Sequence, residues 1–68
     1  MNRKLLKAKM KEYGESGRDL ADALGIVRQT LSCKLTGNRG DFTLSEVVAI
    51  KKRYDLTDEE TIAIFFED

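Results

Sequence analysis

The sequence contains no histidine and no proline, and its single cysteine is Cys33. One cysteine excludes an internal disulfide, and without histidine it does not anchor a metal site. The chain offers no base to activate the Cys33 thiol and no glycine loop of the G-x-x-x-x-G-K type to hold a phosphate. These absences argue against an enzyme. We therefore expect no catalytic residue, no metal, no cofactor and no small-molecule ligand.

Long apolar runs are also missing from the sequence. No stretch approaches the roughly 20 residues that cross a membrane, and the basic start of the chain lacks the apolar segment that follows in a signal peptide. We expect no membrane contact and a cytoplasmic location.

The 68 residues are expected to form one domain, residues 1–68, because a chain of this length builds one modest core. Hydrophobic residues make up 41% and charged residues 35% of the chain, which is an ordinary globular composition. In the absence of proline, turns depend on glycine. Three of the five glycines fall where the pattern described below predicts helix ends: Gly14, Gly25 and Gly37.

The formal net charge of zero hides an uneven distribution. Residues 1–40 contain nine basic and four acidic side chains, a balance of +5. Residues 41–68 contain three basic and eight acidic side chains, a balance of −5. A basic half is suited to contact with phosphates, while an acidic half points away or meets another partner. Charge alone does not decide between a binding surface and two solvated faces.

Residues 16–37 predict two short helices around a tight turn. Ser16 and Asp19 have the spacing of a capping box at the start of the first helix. The apolar residues of this helix then share one face: Leu20, Ala21 and Leu24. Gly25 ends the helix, because the sharp turn needs a left-handed backbone that glycine adopts at little cost.

The second helix of the pair, residues 28–36, separates apolar from polar side chains. Leu31 and Leu35 lie four residues apart and form its inner face. The outer face holds small or hydrogen-bonding side chains and no acid: Arg28, Gln29, Thr30, Ser32, Cys33 and Thr36. Such a face is suited to binding a polar surface.

Three further helices are predicted around this pair, so the fold class is all-α. Residues 2–13 place apolar side chains at spacings of three and four. Two capping boxes, Thr43 with Glu46 and Thr57 with Glu60, start the other two helices. The first of these is expected to close the core with its apolar residues: Leu44, Val47, Val48, Ile50 and Tyr54.

The last predicted helix is apolar on more than one face. Its hydrophobic residues are nearly continuous: Ile62, Ala63, Ile64, Phe65 and Phe66. The spacings of three and four allow Ile62, Phe65 and Phe66 to cover the core. We expect Ile64, and one of the two phenylalanines, to stay outside it. Exposed apolar surface on a small protein marks an interface. The alternative is that a very small core uses all five residues.

The helix pair resembles the helix-turn-helix of the phage repressor and Cro family (XRE type) of small DNA-binding proteins. The resemblance rests on Leu20-Ala21, on Leu24-Gly25-Ile26, and on Arg28-Gln29-Thr30-Leu31-Ser32 closed by Lys34-Leu35-Thr36-Gly37. The last two runs are similar to the version carried by phages and mobile elements of Gram-positive bacteria. The whole chain fits the family's compact five-helix bundle, with the helix-turn-helix at its centre.

This resemblance implies a sequence-specific double-stranded DNA-binding transcriptional regulator, repressor or Cro-like, acting on an operator in the bacterial cytoplasm or nucleoid. The helix of residues 28–36 enters the major groove in such proteins. Base contacts are expected from Arg28, Gln29, Thr30 and Cys33. Contacts with the DNA backbone are expected from Ser16, Gly17, Ser32, Lys34, Thr36, Asn38 and Arg39. The fifth helix often dimerises in this family, which implies a homodimer through Ile62, Ile64, Phe65 and Phe66.

The sequence departs from the family at several positions. Gly17 stands where a glutamine often bonds a phosphate, so only a backbone amide is left for that contact. Val27 replaces the usual capping serine, at a cost of about 1 kcal/mol of local stability. Lys34 occupies a position that is often apolar. Gly17, Val27 and the zero net charge favour an alternative function, a protein-interaction module of the anti-repressor or antitoxin kind that does not bind DNA specifically.

Overall fold

The computed structural model describes residues 2–36 and 42–66, and these residues form helices and connecting turns without a β-strand. The helices are, in order, α1 Arg3–Glu12, α2 Gly17–Leu24, α3 Arg28–Thr36, α4 Leu44–Arg53 and α5 Asp58–Phe65. The prediction of an all-α chain is confirmed. The packing is compact, with a radius of gyration of 10.8 Å.

Hydrogen bonds at the helix N-termini explain where three of the helices begin. At α4, the Thr43 hydroxyl oxygen accepts the Glu46 N–H at 3.2 Å, and Glu46 Oε1 accepts the Thr43 N–H at 2.8 Å. Each bond satisfies an amide that has no partner inside the helix. The same box starts α2 with Ser16 and Asp19, and α5 with Thr57 and Glu60. All three predicted capping boxes are confirmed.

Residues with a left-handed backbone follow three of the helices. Gly14 has φ +68° after α1, and Gly25 has φ +71° after α2. Both glycines stand where the sequence predicts a helix end, while Gly37 lies outside the described residues. Asp55, after α4, has φ +48° without being a glycine. The side chain of aspartate is one of the few that tolerate this conformation.

All five helices contribute to one shared core. Each supplies at least one side chain that is at most 1% exposed: Leu6, Leu20 and Ala21, Leu31, Ile50 and Ile64. Tyr54 is buried with them, and its ring centroid lies 5.3 Å from that of Tyr13. The closest helix pairs are α2 with α3, α1 with α5 and α4 with α5. The pair α2 and α3 and the group α1, α4 and α5 meet in this shared core.

The predicted orientation of α5 is wrong. Ile64 is 1% exposed and belongs to the core, whereas Ile62 is 49% and Phe66 67% exposed. The reason is Thr61, which is buried at 7% because its hydroxyl donates to the Thr57 carbonyl oxygen at 2.9 Å within the helix. A threonine whose hydroxyl bonds within its own helix can occupy an inward position. Ile64, three residues further on, lies on the same face and is therefore inward as well.

Part of α4 also differs from the expectation. Val47 and Ile50 are buried, but Leu44 is 76% and Val48 41% exposed. The two exposed side chains lie four residues apart on the outer face of the helix. Phe42, which precedes α4, has its ring edge-on to Phe65 of α5, with the centroids 5.7 Å apart.

No helix within residues 2–36 and 42–66 combines the length and the apolar character needed to span a membrane.

We expect Ile64→Val to lower the free energy of unfolding by about 1 kcal/mol, because removing one buried methylene leaves a small void. The same change at the half-exposed Ile62 is expected to cost less than about 0.5 kcal/mol. Urea unfolding followed by circular dichroism, at one low protein concentration, measures both losses. Equal losses would contradict the orientation of α5 described above.

Candidate functional site

The outer face of α3 is polar and open to solvent. Leu31 is 1% exposed on the inner side, and Leu35 packs against the core. The side chains expected to contact a ligand on the outer side are exposed: Arg28, Gln29, Thr30, Ser32 and Thr36. Cys33 is half-buried beside them. This face therefore presents one guanidinium, one amide and several small side chains, with no carboxylate among residues 28–36.

The start of α2 lies against the first turn of α3. A Cβ atom placed on Gly17 would lie 3.9 Å from Arg28 Nε and 3.9 Å from Leu31 Cδ2. The Arg28 side chain therefore lies back over α2, in space that a longer residue at position 17 would need. This contact brings two predicted site residues, Gly17 and Arg28, into one patch of surface.

Ser16 is not available for the contact predicted for it. Its N–H donates to Asp19 Oδ2 at 2.8 Å, and its hydroxyl donates to the same oxygen at 3.0 Å. These two bonds hold the pKa of Asp19 below its usual value. The amides of Gly17 and Arg18 follow in the first turn of α2, where the helix itself provides no acceptor. The backbone amides of α2 that lack an acceptor within the helix and its cap therefore begin at Gly17.

Lys34 pairs with α4 and also lines the depression formed by Val27, Gln29, Thr30 and Cys33. Its Nζ lies 3.1 Å from Glu46 Oε1 and 5.9 Å from the centroid of the Phe42 ring. The lysine and glutamate side chains are only 16% and 14% exposed. Burial raises the pKa of Glu46, but the Thr43 N–H and the Lys34 ammonium outweigh burial and leave it lowered. Lys34 therefore joins α3 to α4, and its contact with the DNA backbone stays a prediction.

Two lysines of α1 lie beside the candidate site, although the sequence analysis did not include them among its residues. Lys7 and Lys11 line a cleft whose other residues include Glu15, Ser16, Gly17 and Leu35, so α1 lies beside the start of α2. The Glu15 carboxylate in this cleft is paired with Arg53. The lysine run of α1 was visible in the sequence. Its position relative to α2 and α3 depends on the packing of the helices, which sequence spacing does not contain.

Ion pairs between the two halves of the chain change the predicted charge separation. Lys9 pairs with Glu60 at 2.7 Å, and Lys34 pairs with Glu46, so both cations are neutralised locally. The cations of α1, α2 and α3 that have no described carboxylate partner are Arg3, Lys4, Lys7, Lys11, Arg18 and Arg28. Of these cations, Lys7 and Lys11 line the cleft beside Gly17, and Arg28 lies against Gly17 from α3.

Glu15 and Arg53 tie the start of α2 to the end of α4. Arg53 Nε donates to Glu15 Oε1 at 2.7 Å, and Arg53 Nη2 contacts Oε2 of the same carboxylate. A two-pronged contact of this kind fixes orientation as well as distance. The hydrogen bond from Arg53 holds the pKa of Glu15 below its usual value of 4.5 despite partial burial.

The other predicted site residues differ in their exposure. Thr36 is exposed, and its hydroxyl donates to the Cys33 carbonyl oxygen at 3.0 Å. Asn38 and Arg39 lie outside the described residues. Val27 is 67% exposed, and its carbonyl oxygen accepts the Leu31 N–H at 3.1 Å, so it holds the capping position of α3 without a capping side chain. Ile62 and Phe66 are exposed, Phe65 is half-buried, and Ile64 is excluded from any surface by its burial.

The chain matches no protein-family model, no curated protein and no solved structure. The case for this site therefore depends on its own residues and geometry.

We expect the melting temperature to fall as the pH is lowered from about 5 to about 3. A carboxylate whose folded-state pKa is depressed stabilises the fold above its ordinary pKa, and the contribution is lost as the pH falls through the folded-state value. The carboxylates with a lowered pKa are those of Glu15, Asp19, Glu46 and Glu60. Thermal unfolding by circular dichroism at several pH values measures the effect.

Glu15→Gln tests how much of this pH dependence of the melting temperature comes from the ion pair of Glu15 with Arg53. The variant is expected to melt lower than the parent chain at neutral pH and to lose less on acidification, since its amide does not titrate. Glu59→Gln is the matched control, because Glu59 is exposed and has no cation partner among the described residues. An acid profile of Glu15→Gln parallel to that of the parent chain would contradict the stabilising role of the pair.

We expect Val27→Ser to raise the free energy of unfolding by about 1 kcal/mol, because a serine oxygen accepts an amide of the first turn of α3. The exposed valine gives up little buried area in exchange. Urea unfolding measures the gain, and Val27→Ala serves as the control that removes the valine without adding a cap. A serine variant no more stable than the alanine variant would show that α3 gains nothing from a cap.

Proposed function

We propose that the chain is a sequence-specific double-stranded DNA-binding transcriptional regulator, with α2 and α3 acting as a helix-turn-helix. The observation that carries the proposal is the outer face of α3, which exposes donors and acceptors without one carboxylate. A major groove has the width to admit an α-helix and presents hydrogen-bonding base edges to it. The buried Leu31 and the partly buried Leu35 hold α3 rigidly enough to be inserted as a unit.

Base recognition falls to the middle of the exposed face. Gln29 offers the amide that pairs bidentately with adenine, worth about 1–3 kcal/mol of discrimination when the geometry is good. Thr30 and Cys33 are small enough to let the helix approach and to contact a thymine methyl group. These three residues line one shallow depression beside Val27.

Arg28 has two uses in this arrangement. Its guanidinium lies beside Gly17 at the start of α2, where it meets a phosphate together with the α2 amides. Turned forward, the same side chain reaches a guanine edge from the first turn of α3. The two uses differ in outcome, since loss of a phosphate contact weakens all sequences equally, whereas loss of a base contact relaxes specificity at one position.

Phosphate binding draws on α1 and α2. Lys7 and Lys11 stand beside Gly17 in the same cleft, and the positive end of the α2 dipole points there. Cations that neutralise phosphates release counterions, so the affinity should fall steeply with salt. Most of the acidic residues of the described chain lie on α4 and α5 or in the turn between them.

Fluorescence-anisotropy titrations test the proposal, with duplexes from the region upstream of the chain's own gene and scrambled duplexes of equal composition, at two salt concentrations. We expect the native duplex to bind well above the scramble. Gln29→Ala should remove most of the preference for the native duplex over the scrambled one, while salt-sensitive binding to both duplexes persists. Lys7→Ala combined with Lys11→Ala should weaken both duplexes alike and reduce the salt slope by about two.

Lys52→Ala is the matched control for the lysine changes. Lys52 is exposed on α4, about 100° around the helix from the neighbouring Arg53, which faces α2. Its removal should leave both affinities almost unchanged. A parent chain with no sequence preference and little affinity at low salt would refute the proposal. The alternative of a protein-interaction module, which the neutralised Lys34 favours, would then take its place.

A further inference from the structure

An ion pair joins the second half of α3 to the start of α4. Lys34 Nζ lies 3.1 Å from Glu46 Oε1. The same oxygen accepts the Thr43 N–H at 2.8 Å, so the capping box of α4 holds the carboxylate in place. The Lys34 ammonium also lies 5.9 Å from the centroid of the Phe42 ring, which packs edge-on against Phe65. The position of the lysine is therefore fixed by groups that are themselves held by other contacts.

Lys34 also borders the surface that the proposed function assigns to DNA. It lines the depression on α3 in which the proposed base contacts lie: Gln29, Thr30 and Cys33. A duplex seated on these residues brings a phosphate backbone to either side of its groove. The flexible four-carbon stem of a lysine is long enough to reach such a phosphate. A phosphate and the Glu46 carboxylate are therefore alternative partners for the same ammonium.

Burial favours the carboxylate over the phosphate. Both side chains of the pair are largely buried, and a buried carboxylate that loses its cation keeps the cost of its desolvation. A phosphate on the exposed surface of a duplex attracts the ammonium only through water and salt, which weaken the attraction. Exchange of partners therefore gains less than it loses, and Lys34 stays on Glu46.

We propose that Glu46 withholds Lys34 from the DNA backbone and thereby lowers the affinity of the chain for every duplex, whatever its sequence. This inference rests on the proposed function, and it opposes the backbone contact that the family resemblance implies for Lys34. Glu46 sets the strength of binding, whereas Gln29 sets the sequence preference. Because genomic DNA offers a very large number of competing sites, weaker sequence-independent binding leaves more of the protein available to its operator.

Glu46→Gln in the full chain tests the proposal. Glutamine preserves the capping box, because its amide oxygen accepts the Thr43 N–H, but it removes the negative charge. Fluorescence anisotropy measures binding to the native upstream duplex and to the scrambled duplex between about 50 and about 200 mM salt. We expect the variant to bind both duplexes about threefold tighter or more at the low-salt end, with a salt slope steeper by about one. The ratio between the two duplexes should not change.

Glu60→Gln is the matched control. Glu60 holds the same position in the capping box of α5, and it pairs with Lys9 at 2.7 Å. The control therefore loses the same charge and the same kind of ion pair. Lys9, however, lies between α1 and α5 and keeps Glu12 at 3.5 Å as a partner. We expect the salt slope of the control to equal that of the parent chain, and far-UV circular dichroism confirms that both variants are folded.

Addition of Lys34→Gln to Glu46→Gln identifies the source of the gain. The double variant should lose both the added affinity and the added slope, and a gain that persists without Lys34 would overturn the proposal. An unchanged slope in Glu46→Gln, with the preference for the native duplex kept, would overturn this inference and leave the proposed function intact. A lost preference at an unchanged slope would also overturn it and make Glu46 a positioning residue of α3. No binding by the parent chain or by Glu46→Gln at low salt would overturn both proposals.

Discussion

One small core, shared by all five helices, is the constraint on which the rest of this structure depends. Each helix gives it at least one side chain that is almost completely buried: Leu6, Leu20, Leu31, Ile50 and Ile64. The buried residues of the described part of the chain form one hydrophobic cluster. The inward residues therefore set the orientation of each helix about its own axis, and that orientation decides which polar side chains reach the surface. The exposed face of α3 is a consequence of the burial of Leu31.

Electrostatic contacts then fix how the helices sit around this core. Glu15 with Arg53, Lys34 with Glu46 and Lys9 with Glu60 each join an element of the first half of the chain to one of the second half. In two of these pairs the carboxylate belongs to α5 or α4, whereas in the third pair α4 supplies the cation, Arg53, and Glu15 supplies the carboxylate. Ion pairs of this partly exposed kind contribute modestly to stability, and their main effect here is on geometry.

Local signals in the sequence predict the helices of this fold well. The three capping boxes and the turn glycines Gly14 and Gly25 mark helix boundaries through bonds between neighbours in the chain, which sequence spacing records directly. The orientation of α5 was predicted wrongly, because residues 62–66 are all apolar and no polar residue marks the outward side. Thr61 makes the pattern harder to interpret, because it is a polar residue on the inward face, where its hydroxyl donates to a carbonyl oxygen of its own helix.

The candidate site was predicted only in part, for a related reason. The exposed residues of α3 follow from helical periodicity around Leu31 and Leu35. Two features depend on contacts between helices that are far apart in sequence. They are the ion pair of Lys34 with Glu46 and the position of Lys7 and Lys11 beside Gly17. Spacing within one helix contains no information about such contacts.

The separation of the two faces of α3 has a consequence for how this chain diverges over generations. Gln29, Thr30 and Ser32 are exposed and take no part in the core, so mutations there leave folding nearly untouched. Under the proposed function, single substitutions on this face can therefore change the DNA sequence that is bound while the protein stays folded. Related sequences can then share every buried residue and still differ in their operator.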